Sequence, residues 1–182
     1  MTKKVLVLLT VVFIITAIGS VVYGYDTMQD GAQCFMYSKG YSYQAPLRVL
    51  NIYTDYTPVS GDLVTLYSWS ESDLQLWKIV LNDDLNWVPS SSYRVESAAN
   101  YSLALNYNQA TTKCTMYPYA SNDADDFPIG FESVNGGGHI LWLYNRSSRY
   151  LWNSGNYLGA QCYWHTVDNS GVSSEDVWCL FT

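Results

Sequence analysis

The sequence predicts an all-β domain built from three internal repeats. Three observations carry this prediction. Beyond residue 24 there is little helical periodicity. Short runs rich in Tyr, Val, Ile and Leu are instead broken by Gly, Asn, Asp, Ser and Pro about every eight to twelve residues, the spacing of many short strands in a barrel or sandwich. Aromatic residues make up 16% of the chain, with 17 Tyr and 7 Trp, a composition suited to pleated sheet and to binding surfaces built from rings. Finally, a short polar-to-aromatic pattern returns at a period of about fifty residues, the signature of an internally repeated fold.

The repeating pattern is clearest at Gln75-x-Trp77, in SESDLQLWKIV. About fifty residues on stands Asp125-x-Phe127, and about fifty further Asp176-x-Trp178. Each ends a polar loop and opens an apolar run: Trp77/Ile79, Phe127/Ile129 and Trp178/Leu180. Upstream, Val64-x-Leu66-Tyr67-x-Trp69 and Cys114-x-Met116-Tyr117-x-Tyr119 precede the first two copies at one offset. Ala160-x-Cys162-Tyr163 precedes the third at a longer one. Strand alternation sends Val64/Leu66, Cys114/Met116 and Ala160/Cys162 inward, and Thr65/Tyr67, Thr115/Tyr117 and Gln161/Tyr163 outward. An earlier strand completes each unit at Pro46–Val49, Ser102–Leu105 and Tyr150–Asn153. The repeats are therefore expected at about 32–80, 81–131 and 132–182.

Ahead of the repeats, Lys3 and Lys4 lead into the uncharged apolar run Val5–Gly19, followed by small residues at Ser20 and Gly24. This is the layout of a secretory signal peptide over 1–24, leaving one domain over 25–182. The protein is then expected to be secreted, or membrane-anchored if the segment is kept, since Val5–Tyr23 is also a marginal span. Cleavage removes two of the 9 Lys and Arg and none of the 16 acidic residues, taking the net charge from −7 to about −9. So acidic a chain does not suit a nucleic-acid partner. Four cysteines in an exported chain suggest two disulfides, and no CxxC or Cys/His cluster suggests zinc. The loop 122–126 lacks the glycine and terminal glutamate of a calcium hand, so neither a metal nor a cofactor is expected. With only two histidines and no GxSxG motif, an enzyme is not expected.

Three units of about fifty residues, each closing on Gln-x-Trp or a relic of it, resemble the ricin B-type lectin family. The resemblance covers nearly the whole of 25–182 and is most specific at Val64–Trp77. It implies a β-trefoil: three four-stranded repeats around a pseudo-threefold axis. It also implies binding of glycans or glycoproteins, with a ring stacked on the sugar's C–H face and polar groups on its hydroxyls. Carried over by position, Tyr67, Tyr117 and Tyr163 are the stacking rings, Gln161 falls at a polar contact, and Gln75 matches the family's glutamine. The family's hydroxyl-binding aspartate is missing, since Arg48, Ala104 and Trp152 stand at the matching positions. The third repeat is the best remaining candidate, with Gln161, Tyr163, Asn153, Trp164, His165 and Asp168 together. The trefoil would bring the chain ends together, favouring Cys34–Cys179 and leaving Cys114–Cys162. The rival pairing is Cys162–Cys179. The missing aspartates keep a second expectation open: a trefoil with degenerate sugar sites that binds protein, as a toxin-complex subunit or protease inhibitor.

Overall fold

β-Branched and aromatic runs between turn residues become twelve short strands in the computed structural model, which describes residues 28–41, 47–120, 126–146, 149–155, 157–167 and 171–182. In chain order they are β1 (Gln33–Ser38), β2 (Arg48–Ile52), β3 (Val64–Ser68), β4 (Trp77–Leu81), β5 (Tyr93–Ser97), β6 (Asn100–Tyr107), β7 (Cys114–Pro118), β8 (Ile129–Ser133), β9 (His139–Leu143), β10 (Arg149–Asn153), β11 (Ala160–Thr166) and β12 (Val177–Phe181). All their pairings are antiparallel. The expected signal segment 1–24 lies outside the described residues, and among those described no helix is long and apolar enough to cross a membrane.

Six strands close a barrel in the order β1, β4, β5, β8, β9, β12 and back to β1. Closure removes the open sheet edges. The other six form three hairpins, β2–β3, β6–β7 and β10–β11. The hairpins meet at one end of the barrel through Gln161↔Thr65, Leu63↔Thr115 and Lys113↔Tyr163. These three contacts repeat one relationship around an axis: Leu63, Lys113 and Gln161 share one position, and Thr65, Thr115 and Tyr163 the next but one. The architecture is a β-trefoil.

Burial follows from that geometry. Cys34↔Trp77, Tyr93↔Ile129 and His139↔Trp178 are equivalent barrel pairs, so Trp77, Ile129 and Trp178 form one core layer, all fully buried. Each buried indole finds a carbonyl. Trp77 Nε1 donates to Leu50 O at 3.2 Å and Trp178 Nε1 to Leu151 O at 2.9 Å, and these two carbonyls occupy equivalent rungs. At Gly130 a Cβ would stand 2.2 Å from the Trp142 ring, so only glycine lets that indole lie against β8. The turn between β8 and β9 uses Gly136, Gly137 and Gly138, all at positive φ, and Lys39 Nζ donates to the Gly136 and Gly137 carbonyls.

Two expected alignments shift by two residues. In the second repeat, Asp125 lies outside the described residues. Phe127 is not the mate of Trp77, because Ile129 is. Pro128 O accepts from Tyr144 N at 2.9 Å as Leu76 O accepts from Ala98 N at 3.0 Å, so Phe127–Pro128–Ile129 replaces Gln75–Leu76–Trp77. Phe127 instead sits in a side cluster with Val88, packed against Leu85, Tyr117 and Tyr119. In the third repeat, Cys162 and Trp164, rather than Ala160 and Cys162, match Val64 and Leu66. The mate of Tyr67 and Tyr117 is accordingly His165, not Tyr163. Likewise the mates of Ala104 are Val49 and Tyr150, since these pair with Tyr117, Tyr67 and His165 in turn. No acid stands on that rung.

The expected disulfides are also corrected, since all four cysteines are free thiols. Cys34 points into the barrel core, whereas Cys179 lies on the other face of β12, opposite Tyr37. Side chains on opposite faces of paired strands cannot bridge. Cys114 and Cys162 are both core residues near the axis. Burial pushes the Cys34 thiol up to about 12 and raises those of Cys114 and Cys162 well above the usual range.

Candidate functional site

Beside the first hairpin, the loop that leads into β4 is tied back to it, with Ile52 N donating to Leu74 O at 3.0 Å. In the first repeat this leaves a pocket of about 410 Å³. Its wall is Tyr67, on β3 and 43% exposed, with Asn51 on β2 two rungs away on the same face. Its floor is Gln75, which is buried and occupied at both ends. Its Nε2 donates to Ser68 O at 2.8 Å, and its Oε1 accepts from Ser70 N at 2.9 Å. Gln75 therefore builds the loop. Exposed Tyr53 and Asp55 stand at the rim, and no basic side chain lines the pocket among the described residues. Asn51 donates through Nδ2 to Ile52 O at 2.8 Å. A ring, a carboxylate and amides around one concave space can take an apolar face and bind hydroxyls.

The second repeat places the mates of Asn51 and Tyr67 in a pocket of about 280 Å³, which Ser60 and Gly61 of the first repeat also line and which has no counterpart of the Gln75 amide. Asn106 and Tyr117 stand on the rungs of Asn51 and Tyr67. Here Asp126, 5% exposed, lines the pocket. It accepts from Arg146 Nε at 2.9 Å and from Gln109 Nε2, so its charge is paired.

In the third repeat the equivalent position holds protein. Trp152 replaces the asparagine, and its ring centroid lies 5.2 Å from that of His165 and 6.1 Å from that of Tyr163. Asp176 takes the place of Gln75. It is buried and accepts from Ser173 N and Ser173 Oγ, both at 2.8 Å, while its other oxygen pairs with His165 Nε2.

The residues expected to form a site there are dispersed. Trp164 is fully buried and donates through Nε1 to Asn106 O at 3.1 Å. Asn153 is also fully buried, with Nδ2 donating to Ser38 Oγ at 2.9 Å and Glu175 O at 3.2 Å. Gln161 turns to the axis, where Nε2 donates to the carbonyls of Val64, Cys114 and Cys162 at 2.7, 3.3 and 2.8 Å. Those three residues are equivalent, so one amide ties the three hairpins together. Asp168 lies outside the described residues. Tyr163 and His165 remain together, against Trp152. The structure adds Asn51, Asn106, Asp55 and Asp126. A Leu-Asn pair at the end of an apolar strand, Leu50-Asn51 and Leu105-Asn106, is the signal that points to the first two.

No family model matches the chain, and no curated protein matches it in sequence. Solved structures do match, at the level of fold. A mosquitocidal holotoxin aligns with a TM-score of 0.67 and 15% identity over 85% of this chain and 17% of its own. The chain thus spans about a sixth of that toxin. The designed threefold-symmetric protein ThreeFoil aligns with a TM-score of 0.63 and 18% identity, over 82% of this chain and 98% of its own. A ricin B-like lectin of Macrolepiota procera, solved with lactose, aligns at 0.59 and 11% identity, over 85% and 97%.

Proposed function

We propose that this chain is a glycan-binding β-trefoil whose sites are the pockets of the first two repeats, at Tyr67 and Tyr117. The observation that carries the reading is their equivalence. Two positions related by the pseudo-threefold axis each keep a Tyr, an Asn two rungs along the same face and an open pocket. Tyr67 and Tyr117 would stack on the sugar face, while Asn51, Asn106 and Asp55 would bind hydroxyls. The fold shared with a lactose-bound lectin supports it. Binding, with no catalytic step, is the action proposed, and glycans or glycoproteins outside the cell are the partners. N-terminal sequencing of the exported chain tests cleavage of 1–24.

A glycan array probed with the folded protein tests the reading, with Tyr67→Ala and Tyr117→Ala beside the wild type. Signal that falls stepwise with each substitution supports it. Signal unchanged in the double variant, or no signal from well-folded protein, rejects it.

A second reading, protein binding as part of a toxin assembly, draws on the holotoxin likeness and on the rim itself. Tyr53 on the rim is 62% exposed and Tyr56, three residues on and beyond the pocket lining, is 84% exposed. Co-purification of a stoichiometric protein, lost on Tyr56→Ala, would favour it over the first.

A further inference from the structure

We propose that Trp152 closes the third binding position with the protein's own ring, and so fixes the number of sugar sites at two. The proposal rests on the glycan-binding reading of the first two repeats. Its basis is the hairpin register. Asn51 pairs with Thr65, Asn106 with Thr115 and Trp152 with Tyr163, one equivalent rung in each repeat. Two rungs carry a small amide and leave open pockets. The third carries an indole, tilted 31° to the His165 ring and 42° to the Tyr163 ring. His165 is the mate of Tyr67, the ring proposed to stack on sugar. Trp152 therefore covers the aromatic surface that a sugar would use, and contacts between aromatic rings hold it there. The polar half of the position is spent in the same way. His165 Nε2 is committed to Asp176, whereas Tyr67 lines an open pocket. The third position is thus complete in itself, with a ring on its ring and a partner on its polar edge.

Replacing Trp152 by the residue of the other two repeats tests this. Calorimetric titration with a panel of neutral monosaccharides (galactose, N-acetylgalactosamine, glucose, mannose and arabinose) is expected to give two sites for wild type and three for Trp152→Asn. If that variant does not fold, Trp152→Ser carries the same measurement. Three sites in wild type, or two in a folded variant, overturn the proposal. In wild-type protein, saturating sugar is expected to move the Tyr67 and Tyr117 ring resonances and leave the Trp152 indole signal in place; a moving indole overturns it. A crystal structure of Trp152→Asn reads the claim without sugar. A third pocket above Tyr163 and His165 supports it, and a collapsed surface overturns it. Wild-type protein that binds no sugar defeats the glycan reading of the first two repeats, and the closure by Trp152 then stands or falls on that crystal structure.

Discussion

The loop of the first repeat and the loop of the third solve one problem with different side chains. Each must be held against its hairpin before a barrel strand begins. Gln75 supplies both kinds of bond from one side chain, because an amide both donates and accepts: it gives to Ser68 O and receives from Ser70 N, beside the main-chain bond from Ile52 N to Leu74 O. Asp176 only accepts when ionised, so it can receive from Ser173 but cannot give. Its second oxygen takes its partner from His165, at the position where the first repeat displays Tyr67. Exchanging an amide for a carboxylate thus draws the ring of the outer face into structural service. The difference teaches that the pocket in the first repeat stays open partly because its floor is self-sufficient.

The comparison can be broken at several depths. The largest effect is expected in the shared core. Trp77→Ala and Trp178→Ala should each cost about 3–5 kcal/mol in guanidinium unfolding. A large inequality would mean that the two repeats are not equivalent supports. Next come the loop ties. Gln75→Ala and Asp176→Ala should each cost about 1–3 kcal/mol, through buried partners left unsatisfied. In a double-mutant cycle, Asp176 and His165 should couple by about 0.5–3 kcal/mol. Gln75 and Tyr67, which share no hydrogen bond among the described contacts, should give close to none.

A smaller effect is expected at the pocket itself. Tyr67→Ala should weaken glycan binding about tenfold, or about 1.4 kcal/mol, while stability stays within about 0.5 kcal/mol. His165→Ala should leave glycan binding unchanged and lower stability, the reverse pattern. The smallest effect lies outside both loops. The Arg94 guanidinium, beside Asp84 at 2.7 Å, holds the Asp84 carboxyl below its ordinary value. A depressed carboxyl stabilises the fold above its unfolded pKa, and that contribution is lost as pH falls through the folded one. Asp84→Asn should therefore flatten the acid limb of the stability curve below about pH 4. Because the Asp84 side chain is 55% exposed, the change should be about 0–1 kcal/mol. It should be the same in the presence and absence of glycan.

Much of the trefoil could be read from the chain, and the misreadings share one cause. Turn-bounded apolar runs and Gln75-x-Trp77 pointed to the repeats, and Trp77 and Trp178 do fill the core. Yet Phe127 stood in for Ile129, and Tyr163 for His165, each two residues out of place. Strand side chains alternate with period two, so a shift of two residues leaves every inward and outward assignment intact. Alternation cannot detect such a shift, and only the cross-strand partner does. The residues proposed for the site followed the same rule. Tyr67, Gln75 and Tyr117 were visible because the first two repeats keep one offset between hairpin and aromatic run. Asn51 and Asn106 were missed because their value lies in a neighbour across the hairpin. Asn153 and Trp164 looked like site residues by chemical type, but their strands turn both inward.

The single amide on the pseudo-threefold axis limits how alike the three repeats can ever become. Gln161 Nε2 serves three carbonyls at one point, whereas its mates are an apolar Leu63 and a charged Lys113. Space on an axis admits one such side chain, since three copies would converge on the same spot. A chain assembled from identical units would have to leave that point to a solvent molecule or an ion. Divergence at this position is what lets the protein close its own centre, so its departure from perfect repetition is a condition of its architecture.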